Sequence, residues 1–471
     1  MKIKKSFCAI MIVAILISQM MLSALAIQPE HKYYSDVNSS DYYYDATNYL
    51  YDHNVLLGYS LPNGTNLGIF QPNTSISRGQ LAVVLWRMLN KPQPSGNLTS
   101  FQDVNQGVYY YDAVTWASSS NVGIINGYGD GTFRPDNSVT QQTACIFLYK
   151  FACHCEYSND SDYAQQQYIS VLNSSTLVNK YDFSSQSKSA AGWAYSHGLL
   201  DDNVVPTAAV SRGNIAEYIY EFYIEFQNKY GLSVVNTTNM SYVLPCGIGM
   251  KNLFSHYGAN DAISCNNITS AQFHNEMANA FGGAKGLDIC YLYIASHGST
   301  SGLTLFTNGT LYPATLRSEI DRFNGTFVVF VSGCHSGTYI SEDEEQLEID
   351  TTFDADAFVN GIYNETLEND YYSEDLRDSN RIKVLCSSKQ EEQSYSTDRL
   401  ATNYWCMGSG YDFRNNQFVS LYADSNSDGR ISLEELYVYS QYQIQVNLTQ
   451  NIQTVVRSPH EDGFIIFEIG Y

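Results

Sequence analysis

Two stretches of this chain are versions of one another, and that constrains its first half before any single residue is interpreted. Residues 33–92 hold YSDV, DATNYLYDHNVLLG, IFQP and SISRGQLAVVLWRML; residues 101–155 hold FQDV, DAVTWASSSNVGIING, TFRP and SVTQQTACIFLYKF in the same order. Corresponding positions stay nearly in step: Asp36 and Asp103 stand 67 apart, Arg78 and Gln141 63 apart. A third, worn copy shows in GWAYSHGLL and AVSRGNIAEYIYEFY, from Gly192 to Tyr223. Each copy reads as a helix, a turn segment and a second helix capped by Ser or Thr, the first two turns being Gly-rich and built around an aromatic-x-Pro. The expected boundaries are 27–98, 99–157 and 158–232, with 233–239 as a linker to a second half at 240–471.

This pattern resembles the S-layer homology domain, a mainly α-helical unit that occurs in threes and attaches proteins to secondary polymers of Gram-positive-type cell walls. The resemblance implies that Asp36, Asp103, Trp116, Trp193, Arg78 and Arg212 occupy positions from which such domains contact an anionic, pyruvylated sugar. Arg offers a planar fork to a carboxylate, and Trp a flat face to a sugar ring. Gln141 stands where the second copy should carry Arg, and the third lacks a clear F-x-D-V start. The alternative is a helical scaffold with no ligand.

From Met240 the texture changes to strand and helix alternation: SYVLPCGI, a helix candidate at 270–281, YLYIASHGS at 291–299, a helix candidate around 315–323, FVVFVSGCHSGTY at 327–339, and IKVLCSS at 382–388. Such alternation implies a parallel sheet covered by helices. Two of the apolar runs end abruptly in small residues around a reactive side chain, His297 and Cys334. Neighbouring strands ending this way place an imidazole beside a thiol, just beyond the carboxyl ends of the strands, where open α/β sheets bind ligands. The imidazole can take the thiol proton, and backbone N–H groups can hold an oxyanion. Separately, a Cys after a strand is most often a small buried hydrophobe; together, the two motifs point to catalysis.

YIASHG followed by VSGCHSG resembles the paired motifs of the caspase-like cysteine peptidases, which include caspases, metacaspases, legumains and clostripain-like enzymes. The resemblance implies the caspase-type α/β fold, a parallel sheet with helices on both faces, over about 240–471. It makes Cys334 the nucleophile, His297 the general base or acid, and the N–H groups of Gly298 and Cys334 the oxyanion donors. Many metacaspases carry an Asp two residues before the Cys, associated with a basic residue ahead of the cut; here that place is Ser332. Glu391 and Glu392, in the stretch after IKVLCSS, are implied candidates for the substrate pocket. His335 is a rival base, ranked below His297 because consecutive residues leaving a strand point in different directions.

With 25 Lys and Arg against 48 Asp and Glu, a formal charge of −23, and no basic patch interleaved with aromatics, nucleic acid is not an expected partner. The 39 tyrosines, in runs at 42–44 and 109–111, suit aromatic packing or polysaccharide contact. Residues 1–26 read as a secretory signal: Lys2, Lys4 and Lys5, an apolar segment from Phe7 to Leu22, and Ala24-Leu25-Ala26 for cleavage. The alternative is a membrane anchor; no later stretch is apolar enough to span a bilayer. Cleavage would remove Cys8 and leave an odd number of cysteines, hence at least one thiol outside any disulfide. Cys153-His154-Cys155 lacks a second Cys/His cluster to complete a zinc site, and reads as buried or disulfide-bonded.

The acidic stretch between Ser341 and Asp378 reads as a solvated insertion or a regulatory loop. Asp424 to Glu435, DSNSDGRISLEE, fits the calcium loop of an EF-hand. Asp424, Asn426 and Asp428 offer oxygens at places one, three and five, Gly429 turns at six, Arg430 offers its carbonyl at seven, Ser432 lies at nine, and Glu435 closes the shell. The alternative is a metal-free Asx-type turn into a helix at 433–441. No organic cofactor is expected. Together these readings give an exported, wall-anchored cysteine endopeptidase acting on peptides or proteins; the alternatives are an idle surface-binding protein on the same scaffold and a cysteine transpeptidase.

Overall fold

The computed structural model describes residues 33–59, 67–94, 96, 98, 100–259, 261–334, 336, 381–388, 401–447, 455–458 and 464–468. The signal-type segment, the acidic stretch between Ser341 and Asp378, His335, Glu391 and Glu392 lie outside them. No helix among the described residues is long and apolar enough to cross a membrane.

Helices α1 (Tyr44–Asp52) and α2 (Arg78–Met88), α3 (Tyr111–Ser118) and α4 (Gln141–His154), then α6 (Lys188–Ser196) and α7 (Arg212–Phe226) form three similar pairs; α5 (Asp162–Ser174) precedes the third. The second helix of each pair starts where a hydroxyl caps it, at Ser77, Thr140 and Ser211, each accepting a backbone N–H three residues on. The three copies close on one another in a ring. Val139 N–H donates to Ile76 O (2.9 Å), Val210 N–H to Val139 O (2.8 Å), and Ile76 N–H to Val210 O (3.1 Å). The same rotation repeats outside: Gly79, Gln142 and Gly213 donate their N–H groups to Pro135, Pro206 and Pro72 of the next copy. The worn third copy therefore occupies a structural place equivalent to the other two, because the ring uses backbone groups and apolar volume rather than particular side chains.

Helix α7 ends at Phe226 and the chain runs directly into β1 (Lys229–Val235), which corrects the expectation of a linker over 233–239. GLSVV is too short, with Gly and Ser inside it, to announce a strand. It lies between β2 (Ile263–Asn266) and β3 (Ile289–Ala295) in a six-stranded sheet that continues through β7 (Thr326–Ser332) and β8 (Ile382–Cys386) to β12 (Val456–Ser458), in the order β12-β8-β7-β3-β1-β2. Every pairing is parallel except that of β12, at the edge. SYVLPCGI, which opens the alternation in the sequence, starts helix α8 (Val243–His256) rather than a strand. Its Pro245 falls in the first turn, where a missing N–H costs little.

The buried residues of β3 and β7 divide by parity. Tyr291, Tyr293, Val328 and Phe330 pack on one side with α8, α11 (Ala401–Gly408) and α12 (Leu433–Asn447). Leu292, Ile294, Val329 and Val331 pack on the other with α9 (Ser270–Phe281) and α10 (Pro313–Ile320). Helices thus cover both faces of a parallel α/β sheet, the fold class expected. Short strands β4 (Gly298–Ser299), β5 (Gly302–Phe306) and β6 (Gly309–Leu311) form a small antiparallel sheet; β9 (Tyr411–Asp412) pairs with β10 (Gln417–Phe418), and β11 (Arg430–Ser432) with β13 (Ile465–Glu468).

The two halves meet across a buried charged contact. Arg430 of β11 pairs with Asp52 at the end of α1 and lies 3.4 Å from Glu468, which is also 3.4 Å from His53. Tyr157 O–H donates to Asp288 at 2.8 Å nearby, and Gly286 N–H to Cys155 O at 3.2 Å.

Candidate functional site

Strands β3 and β7 pair in parallel with Ala295 opposite Ser332, so His297 and Cys334 each lie two residues beyond a matched pair. Past the pairing, Ser296 N–H still donates to Ser332 O at 3.1 Å, so the two turns leave the sheet side by side. Their approach requires glycine. A Cβ on Gly298 would lie 1.8 Å from Cys334 O, and one on Gly333 2.6 Å from Ser296 O. His297 is exposed and Cys334 half-buried. Asn236, after β1, donates its side-chain N–H to Thr304 O at 2.9 Å and fixes the hairpin that follows His297.

Thr304 N–H donates to His297 O at 2.7 Å, a bond that flanks the Gly298–Leu303 pair of β4 and β5. In an antiparallel ladder the residue between such bonds turns its own N–H away from the partner strand, so the Gly298 N–H is directed out of the hairpin. All nine described cysteines are thiols. Burial pushes up the thiols of Cys153, Cys246 and Cys265 to about 11 and that of Cys145 to about 12, and also raises those of Cys155, Cys290, Cys386 and Cys406, which disfavours the thiolate at these eight. Ser332 is buried, and its hydroxyl accepts from Thr402 O–H at 3.3 Å; Thr402 also meets the Tyr293 hydroxyl at 2.9 Å. The base of this strand end is therefore uncharged.

Sequence reasoning missed three buried serines: Ser336 in the turn after Cys334, and Ser387 and Ser388 at the end of β8. Their signals were the pair of hydroxyls closing the apolar run IKVLCSS, for Ser387 and Ser388, and the serine within VSGCHSG, for Ser336.

In the repeats, Asp36 accepts the N–H groups of Phe70 (2.8 Å) and Gln71 (2.7 Å), and Asp103 those of Phe133 (2.8 Å) and Arg134 (2.7 Å). Both carboxylates thus clamp the aromatic-x-Pro turn of their own copy. Arg78 is 6% exposed; it donates to Phe133 O and Asn126 O and lies 4.6 Å over the Phe133 ring. Arg212, 4% exposed, repeats this across the next boundary, donating to Phe70 O with Tyr59 and Phe70 each 4.8 Å away. The two arginines bracket turns of the neighbouring copies. Trp116 and Trp193 are only 2% and 0% exposed, which corrects the expectation that they present a face to sugar. They sit on the inner sides of α3 and α6; Trp193 packs against Tyr149, Phe222 and Phe226.

The EF-hand-type loop turns at Gly429, with φ +80°. Asp424 accepts the N–H groups of Asp428 (3.0 Å) and Gly429 (2.9 Å), Asn426 Oδ1 also accepts Asp428 N–H (2.9 Å), and Glu435 accepts from the N–H and hydroxyl groups of Ser425 and Ser432. Burial, with Asp428 adding repulsion, raises the carboxyls of Asp424 and Glu435. The oxygen types and the chain path fit a hard cation, but in this arrangement the oxygens are turned to N–H and O–H donors. Among the described residues, no three His, Cys, Asp or Glu side chains close into a metal cluster.

Comparison with known proteins bears first on the repeats. Residues 33–82 and 100–145 match the S-layer homology domain. These two stretches carry S-layer homology repeats. A cellulosome-anchoring protein of Acetivibrio thermocellus is 31% identical over 87 residues, 18% of this chain; the chain spans 19% of that relative's length. Among solved structures, a Geobacter sulfurreducens protein is similar at TM-score 0.29 and 16% identity, over 49% of this chain and 90% of that one. Caspase-1 of Spodoptera frugiperda is similar at TM-score 0.31 and 10% identity, over 49% of this chain and 85% of that one. Likeness at this level adds nothing to the site, which rests on its own geometry.

Proposed function

We propose that this chain is an exported, wall-anchored cysteine endopeptidase. The observation that carries the reading is the paired ends of β3 and β7, which bring the turns holding His297 and Cys334 into backbone contact. Cys334, its thiol proton taken by His297, attacks the peptide carbonyl, and the N–H groups of Gly298 and Cys334 receive the developing oxyanion. His297 delivers a proton to the departing amine, leaving a thioester. Water, its proton taken by His297, attacks the thioester, releases the acid and restores the thiol. Anchoring is supported by the S-layer homology repeats and by the similarity to a protein whose name describes anchoring. Arg78 and Arg212, buried beneath the turns, would lend positive charge to the surface that the polymer's acidic groups approach, with Asp36 and Asp103 shaping the turns around them. The loop from Asp424 to Glu435 would hold calcium, with the carboxylates of Asp424, Asp428 and Glu435, the side-chain oxygens of Asn426 and Ser432 and the Arg430 carbonyl as the groups offered to it. Peptide sequencing of products from a diverse library, with wild type and Cys334→Ala side by side, tests the reading; undiminished cleavage by folded Cys334→Ala overturns it.

A further inference from the structure

The turn that carries Cys334 is gripped from both sides by the hydroxyls of Ser336, Ser387 and Ser388, all fully buried. One assignment of protons satisfies the whole group. Ser387 O–H (3.2 Å) and Ser388 O–H (3.0 Å) both donate to Gly333 O, while Ser336 O–H donates to Ser388 O (3.2 Å). In return Ser387 Oγ accepts Gly333 N–H (3.0 Å), Ser388 Oγ accepts Ser336 N–H (3.2 Å), and Ser336 Oγ accepts Ser388 N–H (3.0 Å). Ser336 Oγ also lies 3.3 Å from both Ser387 Oγ and Ser388 Oγ, so the three hydroxyls form one linked, buried polar group that holds the turn rigidly.

The consequence follows from the peptide bond. Gly333 C=O and Cys334 N–H belong to one planar, trans unit and point in opposite directions. Two hydroxyls pulling Gly333 O toward β8 hold the Cys334 N–H facing away from the serines, and a doubly accepted carbonyl polarises its peptide so that this N–H donates more strongly. We propose that Ser387 and Ser388 are positioning residues that aim and strengthen the Cys334 N–H as oxyanion donor, with Ser336 holding Ser388 in place. The proposal rests on the reading of Cys334 as a nucleophile. It also ties the site to the end of β8, a strand that reaches the nucleophile's turn only through tertiary structure.

The test uses the full chain with Ser387→Ala, Ser388→Ala, the double variant and Ser388→Thr. Three quantities are read: kcat and KM for peptide hydrolysis, affinity for a peptide aldehyde, and the rate of Cys334 alkylation by iodoacetamide. The aldehyde adduct develops an oxyanion; alkylation uses the thiol and needs none. Each alanine variant keeps one of the two bonds to Gly333 O, so kcat should fall about 10- to 100-fold, and further in the double variant, because one oxyanion donor is worth roughly 10²- to 10³-fold. Aldehyde affinity should fall in parallel, KM and alkylation should stay within about threefold, and Ser388→Thr should recover most of kcat. Alkylation falling in step with kcat would reduce the serines to props of the turn and overturn the proposal, as would unchanged kcat in both single variants. If the double variant does not fold, the single variants decide. Wild type that alkylates at Cys334 but shows no Cys334-dependent hydrolysis removes the peptidase reading itself, and the proposal with it.

Discussion

At the scale of single residues, the strand ends are governed by contact distances. Cys334→Ala removes the nucleophile and should leave no measurable peptidase activity in a folded protein. His297→Ala removes the proton carrier and should lower kcat by roughly 10²- to 10⁴-fold. Gly298→Ala has a different cause: its methyl would lie 1.8 Å from a backbone oxygen of the nucleophile's turn, which cannot rotate aside as a side chain could. The two turns must part, at an expected cost of about 1–3 kcal/mol. Thermal melting and peptide turnover measured on the same preparation should both show the loss; wild-type values for both would mean the turns are held less tightly than this contact implies.

Among the elements, the most informative are two turns whose carboxylates hold backbone. Asp103 accepts two N–H groups of the turn before α4, so Asp103→Ala leaves both without that partner and should destabilise the repeat domain by about 1.5–3 kcal/mol. The calcium-type loop predicts the opposite sign on adding a ligand. Its carboxylates repel one another while partly buried, and a cation would relieve that cost. At a calcium level one hundred times the dissociation constant the gain is about 2.7 kcal/mol, visible as a higher melting temperature than in chelator. Asp424→Ala with Glu435→Ala should abolish the difference. No calcium-dependent shift in the wild type, with no heat of binding in titration calorimetry, would leave the loop a turn.

For the whole molecule, the contact between the halves sets the acid limit. Burial pushes the Glu468 carboxyl up, but His53, Lys229 and Arg430 outweigh it and hold it down at about 2, from an ordinary 4.5. A depressed carboxyl stabilises the fold fully above its unfolded value, and that contribution is lost as pH falls from about 4.5 toward 2. Melting temperature should therefore drop across this window. Glu468→Gln should lower stability at neutral pH by about 1–3 kcal/mol, since it removes the carboxylate facing Arg430 and His53 while Asp52 still pairs with Arg430, and should flatten the acid response. Sedimentation with purified wall tests the other property of the whole chain. The wild type should co-sediment with wall that retains its secondary polymer and not with wall stripped of it; equal sedimentation with both would remove anchoring through that polymer.

Local chemistry in the sequence determined what depends on near neighbours. Hydroxyl caps at Ser77, Thr140 and Ser211 start the second helices, and Thr269 starts α9 at Ser270 with a capping box. Continuous apolar runs mark β3, β7 and β8 as strands buried on both faces, and the residues that end them mark His297 and Cys334 for attention. Tertiary structure decided what depends on distant partners. Lys229–Val235 is a strand because β2 and β3 flank it, although its own sequence reads as a junction. Trp116 and Trp193 face inward because the ring of repeats supplies apolar neighbours on that side, which neither copy reveals alone. The serine grip joins Gly333 and Ser336 to residues more than fifty positions away. No periodicity connects such positions; only the packing of β8 beside β7 turns two terminal hydroxyls into a support for the nucleophile.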